Sequence, residues 1–247
     1  MTLSIFVGCG EEKKVVVGID PDYPPMGFTD ENGRPAGFDV DLANETFKRM
    51  NYRAEFKPID WANKEAILNS GQIDLIWNGL AVSEERQKSM LFSNPYLNGQ
   101  EVIVTLKDND SIMKEEDIAG KIVGMQRDSG VEEYFAEDRH LLDSVQTMRT
   151  YIDVPTAVSD LIDKKIDAFI CDELVGRYYN KLNQYQLKII IINSVGAKTP
   201  IAVGFRSYDK DFRDEVQKSL NSVIEDGTGT KISLDWFGED LLIKPAN

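Results

Sequence analysis

Two stretches of this chain, one in each half, carry the same local pattern. Ala66-Ile-Leu-Asn-Ser-Gly-Gln-Ile-Asp-Leu-Ile76 and Ala157-Val-Ser-Asp-Leu-Ile-Asp-Lys-Lys-Ile-Asp-Ala-Phe-Ile170 each run from an apolar helix end through a polar turn into Ile-Asp and an apolar strand. A generic helix-turn-strand unit produces such a match by itself. Read as a duplication, it predicts two similar lobes, each with functional residues just beyond its strand. That edge is where open α/β sheets bind ligands, and a cleft between the lobes would be lined by both.

The rest of the chain alternates strand and helix. Val15-Val-Val-Gly-Ile-Asp20 is a buried strand closed by the turn residues Pro21-Asp-Tyr-Pro-Pro25. Asp39 is placed to cap a helix whose apolar residues Val40, Ala43, Phe47 and Met50 recur at helical spacing, and Tyr52, Ala54 and Phe56 then alternate as a half-buried strand. Strands are predicted over Ile73–Trp77, Glu101–Leu106, Lys121–Met125, Val145–Tyr151 and Ile166–Cys171, and helices over Ser83–Met90, Val131–Asp138 and Pro155–Lys164. Ser129 opens a Ser-Gly-Val-Glu132 capping box. A helical stripe of Phe212, Val216, Leu220 and Val223 stops at Gly227, and an amphipathic segment closes with Trp236-Phe-Gly238. This is an α/β chain, and its 247 residues suffice for two lobes.

The formal charge of -14 excludes a nucleic-acid partner, which needs basic patches against phosphates. One histidine, His140, and two distant cysteines give no metal-ligand spacing, and no cofactor motif is present. Cys171 reads as a small buried residue. Met1-Thr-Leu-Ser-Ile-Phe-Val-Gly-Cys9 turns abruptly polar at Glu11, as at the end of a bacterial lipoprotein signal in which Cys9 is lipidated; a frayed terminus is the alternative. No stretch of about 20 apolar residues exists, so membrane attachment would run through Cys9 alone.

Gly37-Phe-Asp-Val-Asp-Leu-Ala43, Asp60-Trp61, Ser83-Glu-Glu-Arg86, Phe92-Ser-Asn-Pro-Tyr96, Gly120-Lys-Ile-Val-Gly124, Ile166-Asp-Ala168 with Asp172, and Asp226-Gly-Thr228 through Trp236-Phe-Gly238 form an ordered set. Together, from Val15 to Gly238, they resemble the polar amino-acid-binding proteins of bacterial ABC importers. The resemblance implies a type II periplasmic-binding-protein fold: two Rossmann-like lobes with a ligand cleft between them, joined by two crossing hinge segments. Residues 1–13 would be signal remnant and tether, 14–97 plus 199–247 the first lobe and 98–198 the second, with hinges near Leu97–Gln100 and Val195–Thr199. It implies a monomeric, extracytoplasmic protein, lipid-anchored to the outer face of the cell membrane or periplasmic, that delivers a free polar or basic amino acid to a membrane permease.

The resemblance also assigns roles. Arg86 receives the ligand's α-carboxylate, for which a guanidinium offers paired donors, and Ser83 caps the helix that carries it. Asp172 receives the α-ammonium group, and it is also placed to cap a helix near Leu174. Tyr23 and Trp61 form walls for the aliphatic part, whereas Trp77 reads as core. Asn78 and Gly79 bring loop groups close to the ligand. Ala81 stands where the family places Thr or Ser, so only its backbone can serve. Asp20 and Gln126 reach the ligand's side chain, and Ser129 and Gly130 begin a helix whose N-terminus favours an anion. Asp20 suits a basic ligand, while Gln126 and Asn78 suit an amide or cystine. Two other readings stand beside this one: a dehydratase-like enzyme on the same fold with Glu173 as general acid, and a ligand-sensing module.

Overall fold

The computed structural model describes residues 13–132, 140, 142–184, 186–192 and 199–245, and it builds them around two five-stranded sheets of matching design. The first sheet contains β1 (Lys13–Ile19), β5 (Tyr52–Pro58), β6 (Leu75–Ile76), β7 (Met90–Phe92) and β15 (Gly204–Arg206), in the order β5-β1-β6-β15-β7. The second contains β9 (Glu101–Leu106), β10 (Ile122–Gln126), β11 (Thr147–Tyr151), β12 (Ala168–Asp172) and β13 (Leu187–Ile191), in the order β11-β10-β12-β9-β13. In each sheet three parallel strands come first and a strand arriving from the other half is then inserted antiparallel. Between β1 and the first helix, β2 (Asp22–Tyr23), β3 (Gly27–Thr29) and β4 (Pro35–Ala36) make a small antiparallel sheet.

The repeated Ile-Asp pairs occupy equivalent places in the two sheets. Asp74 Oδ2 accepts from the Val16 amide at 2.8 Å, and Asp167 Oδ2 accepts from the Ile122 amide at 2.8 Å. The same aspartates donate their own amides to the carbonyls of Val16 and Ile122, at 2.8 Å in both cases. Each thereby docks the start of one parallel strand onto its neighbour.

Among the described residues, helices cover both faces of the first sheet and one face of the second. Against the first sheet, α1 (Phe38–Arg49), α6 (Lys210–Glu225) and α7 (Thr228–Phe237) bury Phe38, Leu42, Phe47, Val216 and Leu220, while α2 (Lys64–Asn69) contributes Leu68 to the opposite side. Trp77 is fully buried against Phe47 and Tyr96, as read from the sequence. On the second sheet, α4 (Val154–Ile162) and α5 (Glu173–Leu182) cover Val102, Val104 and Phe169.

Two segments cross between the sheets. β8 (Leu97–Gly99) and β14 (Thr199–Ile201) pair antiparallel, Leu97 opposite Ile201 and Gly99 opposite Thr199. Of the second expected hinge, residues 195–198 lie outside the described residues, as does Cys9.

Several local expectations need correction. Asp39 does not cap α1: the helix starts at Phe38, after Gly37 with φ 134°, and carbonyls of Pro25 and Met26 meet its first amides. The Asp39 carboxylate is drawn into the core instead. The helix expected over Ser83–Met90 ends early, as α3 (Glu84–Gln87), because Met90 joins a strand of the first sheet. Helix begins at Gly130, but most of the Val131–Asp138 prediction lies outside the described residues.

Replacing Asp74 or Asp167 by Ala strands one strand amide in each sheet and is expected to cost about 1–2 kcal/mol apiece in urea unfolding. The two losses are expected to add in the double variant, since the sites share no partners.

Candidate functional site

The carboxyl ends of the parallel strands of both sheets converge on one cleft, which narrows to a cavity of about 30 Å³. Tyr23, Gly79 and Ala81 line it from the loops of the first sheet, Ser129, Gly130 and Asp172 from the second, and Gly99 and Glu101 from the crossing. Such a space holds roughly one or two waters, less than an amino acid occupies. The halves also meet closely at Gly130, where an added Cβ would stand 2.9 Å from the Ala81 Cβ.

Positive charge reaches the cleft through the Asp128 loop. Arg86 is 1% exposed; its Nη1 donates to the Ala81 carbonyl at 3.0 Å and its Nη2 to the Asp128 carbonyl, across the cleft, at 2.9 Å. Ser83 Oγ caps α3 by accepting from the Arg86 amide at 3.2 Å. Lys64, fully buried, places Nζ 2.6 Å from Asp128 Oδ2 and 3.0 Å from its carbonyl, and 5.0 Å from the Trp61 ring centroid. Asp128 holds φ 55°, a left-handed conformation that Asp tolerates better than most residues. Ser129 accepts from the Glu132 amide at 3.3 Å, but the Glu132 carboxylate reaches the Asp128 amide rather than that of Ser129, so the capping box is displaced by one residue.

Three buried acids and one half-buried acid surround the same place, each held differently. Asp20 accepts from Gln126 Nε2, across the cleft, at 2.7 Å and from the Asp22 amide at 2.9 Å; burial still pushes its carboxyl up to about 6. Asp39 accepts from the Tyr96 hydroxyl at 2.7 Å and the Gly79 amide at 2.6 Å, and burial raises it to about 7. Asp172 accepts from the Leu174 amide at 2.8 Å as the N-cap of α5 and is pushed up to about 6, chiefly by burial. Glu101 rises to about 8, through burial first and the neighbouring Asp172 second.

Of the residues singled out in the sequence, Tyr23, Gly79, Ala81, Ser129, Gly130 and Asp172 therefore line the cavity. Asp20 and Gln126 lie beside it and pair with each other. Arg86 sits directly behind Ala81. Trp61 is buried against Lys64, and Asn78 faces the Gly27 backbone, where an added Cβ would meet its Oδ1 at 1.8 Å. The Gly79 amide is turned to Asp39. Sequence reasoning missed Lys64, Asp39, Asp128 and Glu101. Only Glu101 left a signal, as a lone charge opening the apolar run Val102-Ile-Val104. Glu173 accepts from Arg177 Nε at 2.8 Å and is not part of the cavity lining. Among the described residues no His, Cys, Asp or Glu group could hold a metal, and no helix is long and apolar enough to cross a membrane.

Two outcomes follow from this geometry. Acids whose folded values lie above their unfolded ones bind protons on folding, so the stability they contribute is present below about pH 4 and lost as pH rises through about 6 to 8. The ligand-free melting temperature is expected to fall between pH 5 and pH 8 by this route, and Asp39→Asn to flatten that slope. Separately, a Cβ at Gly99 would stand 2.5 Å from Asp172 Oδ2. Gly99→Ala should displace that carboxylate and weaken ligand binding with little effect on the far-ultraviolet circular dichroism.

Comparison with known proteins agrees with this arrangement. The chain is 29% identical over 232 residues to the L-cystine-binding protein TcyJ of Escherichia coli (strain K12), covering 94% of this chain and 85% of that one. It is 30% identical over 236 residues to the arginine-binding extracellular protein ArtP of Bacillus subtilis (strain 168), covering 92% and 87%. An ABC uptake transporter substrate-binding protein from Streptococcus pneumoniae, solved with bound histidine, superimposes with a TM-score of 0.88 at 33% identity, covering 94% and 95% of the two chains. Residues 15–239 match the model of the bacterial extracellular solute-binding proteins, family 3, and the chain belongs to that family.

Proposed function

We propose that this protein captures a free polar or basic L-amino acid between its lobes and hands it to the membrane permease of an ABC importer. One observation carries the reading: a buried guanidinium stands behind one wall of a cavity whose opposite wall carries a half-buried carboxylate. Arg86 bonds to the carbonyl of Ala81, which lines the cavity from one side, and Asp172 lines it from the other. A zwitterion offers a partner to each. Its carboxylate goes to Arg86 and to the helix N-terminus at Ser129 and Gly130, its ammonium group to Asp172, and Tyr23 and Trp61 border its aliphatic part. Asp20 and Gln126, joined across the cleft, hold the side chain. The cystine, arginine and histidine named for the related proteins support a polar or basic ligand.

Enclosure supplies the affinity. An exposed ion pair contributes about 0–1 kcal/mol, whereas roughly ten heavy atoms fully enclosed at about 1 kcal/mol each reach micromolar to nanomolar binding. In this reading residues 14–97 with 199–247 and residues 98–198 swing about the paired segments β8 and β14, and ligand shifts the open–closed equilibrium toward closed. The permease recognises the closed form, the protein acts as a monomer, and lipidated Cys9 tethers it outside the membrane. An enzymatic reading would need Glu173 in the cleft, and its ion pair with Arg177 favours transport instead.

A thermal-shift screen of the common L-amino acids and L-cystine tests this. A ligand present at about 100 times its Kd adds about 2.7 kcal/mol. Arg86→Lys, which keeps the charge but loses the fork, is expected to reduce the shift for every ligand, and Asp20→Asn to change the ranking among them. No shift with any of these compounds, or no compaction by small-angle X-ray scattering on adding one that binds, contradicts the reading.

A further inference from the structure

Glu101 stands apart from the other acids of the cleft. It opens β9 where the chain leaves the first crossing segment, is 5% exposed, and lines the cavity. Its Oε2 has no hydrogen-bond partner among the described residues. On the neighbouring strand, Asp172 is its Cα partner in the antiparallel ladder. Side chains opposed in this way have Cβ atoms about 5 Å apart, and like charges so placed destabilise a sheet. Leaving a buried acceptor unpaired adds to that cost.

A cation between the two carboxylates removes both penalties once Glu101 is ionised. Among the described residues no lysine or arginine lines the cavity; Lys64 and Arg86 are turned to Asp128. Glu101 Oε1 reaches the contact between the lobes, 4.0 Å from where a Cβ on Gly130 would sit, and there Ala81 presents only a methyl group. An ammonium group carries three N–H donors, of which Asp172 can satisfy one or two through its remaining lone pairs.

We propose that Glu101 is a ligand-binding residue which, with Asp172, holds the ligand's α-ammonium group between two carboxylates. This inference rests on the amino-acid-binding reading above and adds to it a second acid at the ammonium position.

Proton linkage follows. The titratable groups facing Glu101 are Asp172 and Cys171 on β12 and Tyr23 on β2, with Asp20 beyond them. Burial and these acids push the Cys171 thiol and the Tyr23 hydroxyl up, so both are neutral at pH 7. With its value near 8, Glu101 in the empty cleft is protonated at that pH. An arriving ammonium group favours the carboxylate, the Glu101 proton passes to solvent, and a charge-assisted N–H···O bond forms in its place.

Isothermal titration calorimetry at pH 7 in two buffers of different ionisation enthalpy reads both affinity and proton release. The probes are L-arginine, L-histidine, L-glutamine and L-cystine, tested on the wild-type protein and on Glu101→Gln. Wild-type protein is expected to release about one proton per ligand bound. Glu101→Gln should bind the same ligand roughly ten- to a hundredfold more weakly and release correspondingly less proton, while its ligand-free melting temperature at pH 8 is unchanged or higher because a buried acid has been removed. Wild-type affinity together with wild-type proton release in Glu101→Gln overturns the inference and leaves the amino-acid reading standing. A fall in ligand-free melting temperature in both Glu101→Gln and Glu101→Ala, accompanying the loss of affinity, assigns Glu101 a structural role and also overturns it. Wild-type protein that binds none of the four probes contradicts the amino-acid reading itself, and the inference falls with it.

Discussion

Removing a carboxylate from water is costly unless a donor or a cation meets it, and this protein buries three and half-buries a fourth beside one cleft. Asp39 is met entirely from within, by Tyr96 and Gly79, and serves to fix the loop after β6. Asp20 is met by an amide side chain of the opposite lobe. Asp172 is met by backbone donors and keeps Oδ2 towards Gly99, and Glu101 Oε2 has no partner among the described residues. Asp39 and Asp20 are thus paired within the protein beside the cavity, whereas Asp172 and Glu101 line it.

The two-lobe architecture makes that arrangement achievable. Each sheet delivers its residues from the carboxyl ends of parallel strands, where loops converge without obstructing side chains. The exchange of one strand between halves brings β8 and β14 side by side under the cleft, so that Gly99 and Glu101 reach it from the crossing itself. Charges are matched across the gap. Asp128 offers its carbonyl to Arg86 and its carboxylate to Lys64, and both of those bonds join groups separated by the cleft.

Much of this was legible in the sequence because it depends on local pattern. The duplicated Ile-Asp segment identified equivalent strands, and Asp74 and Asp167 proved to make the same bond to the neighbouring strand. Ser83 and Asp172 declared themselves as caps, since an N-cap needs only a short polar side chain at a helix start. Long-range partnerships left no such trace. Asp39 has the composition of a helix cap, and only the arrival of Tyr96 and Gly79 from distant segments draws it inward. Lys64 has the composition of an exposed helix residue, and only its ion pair with the distant Asp128 marks it as buried. Glu101 was visible as an anomaly, a charge at the head of an apolar strand, but its meaning depends on Asp172 lying opposite on β12.

A crystal structure of the protein with a bound L-amino acid tests the central claim most directly. It should place the ligand's α-carboxylate within hydrogen-bonding distance of Arg86 and its α-ammonium group against Asp172 and Glu101. A ligand seated with its carboxylate towards those two acids, or outside the cleft altogether, would contradict the account.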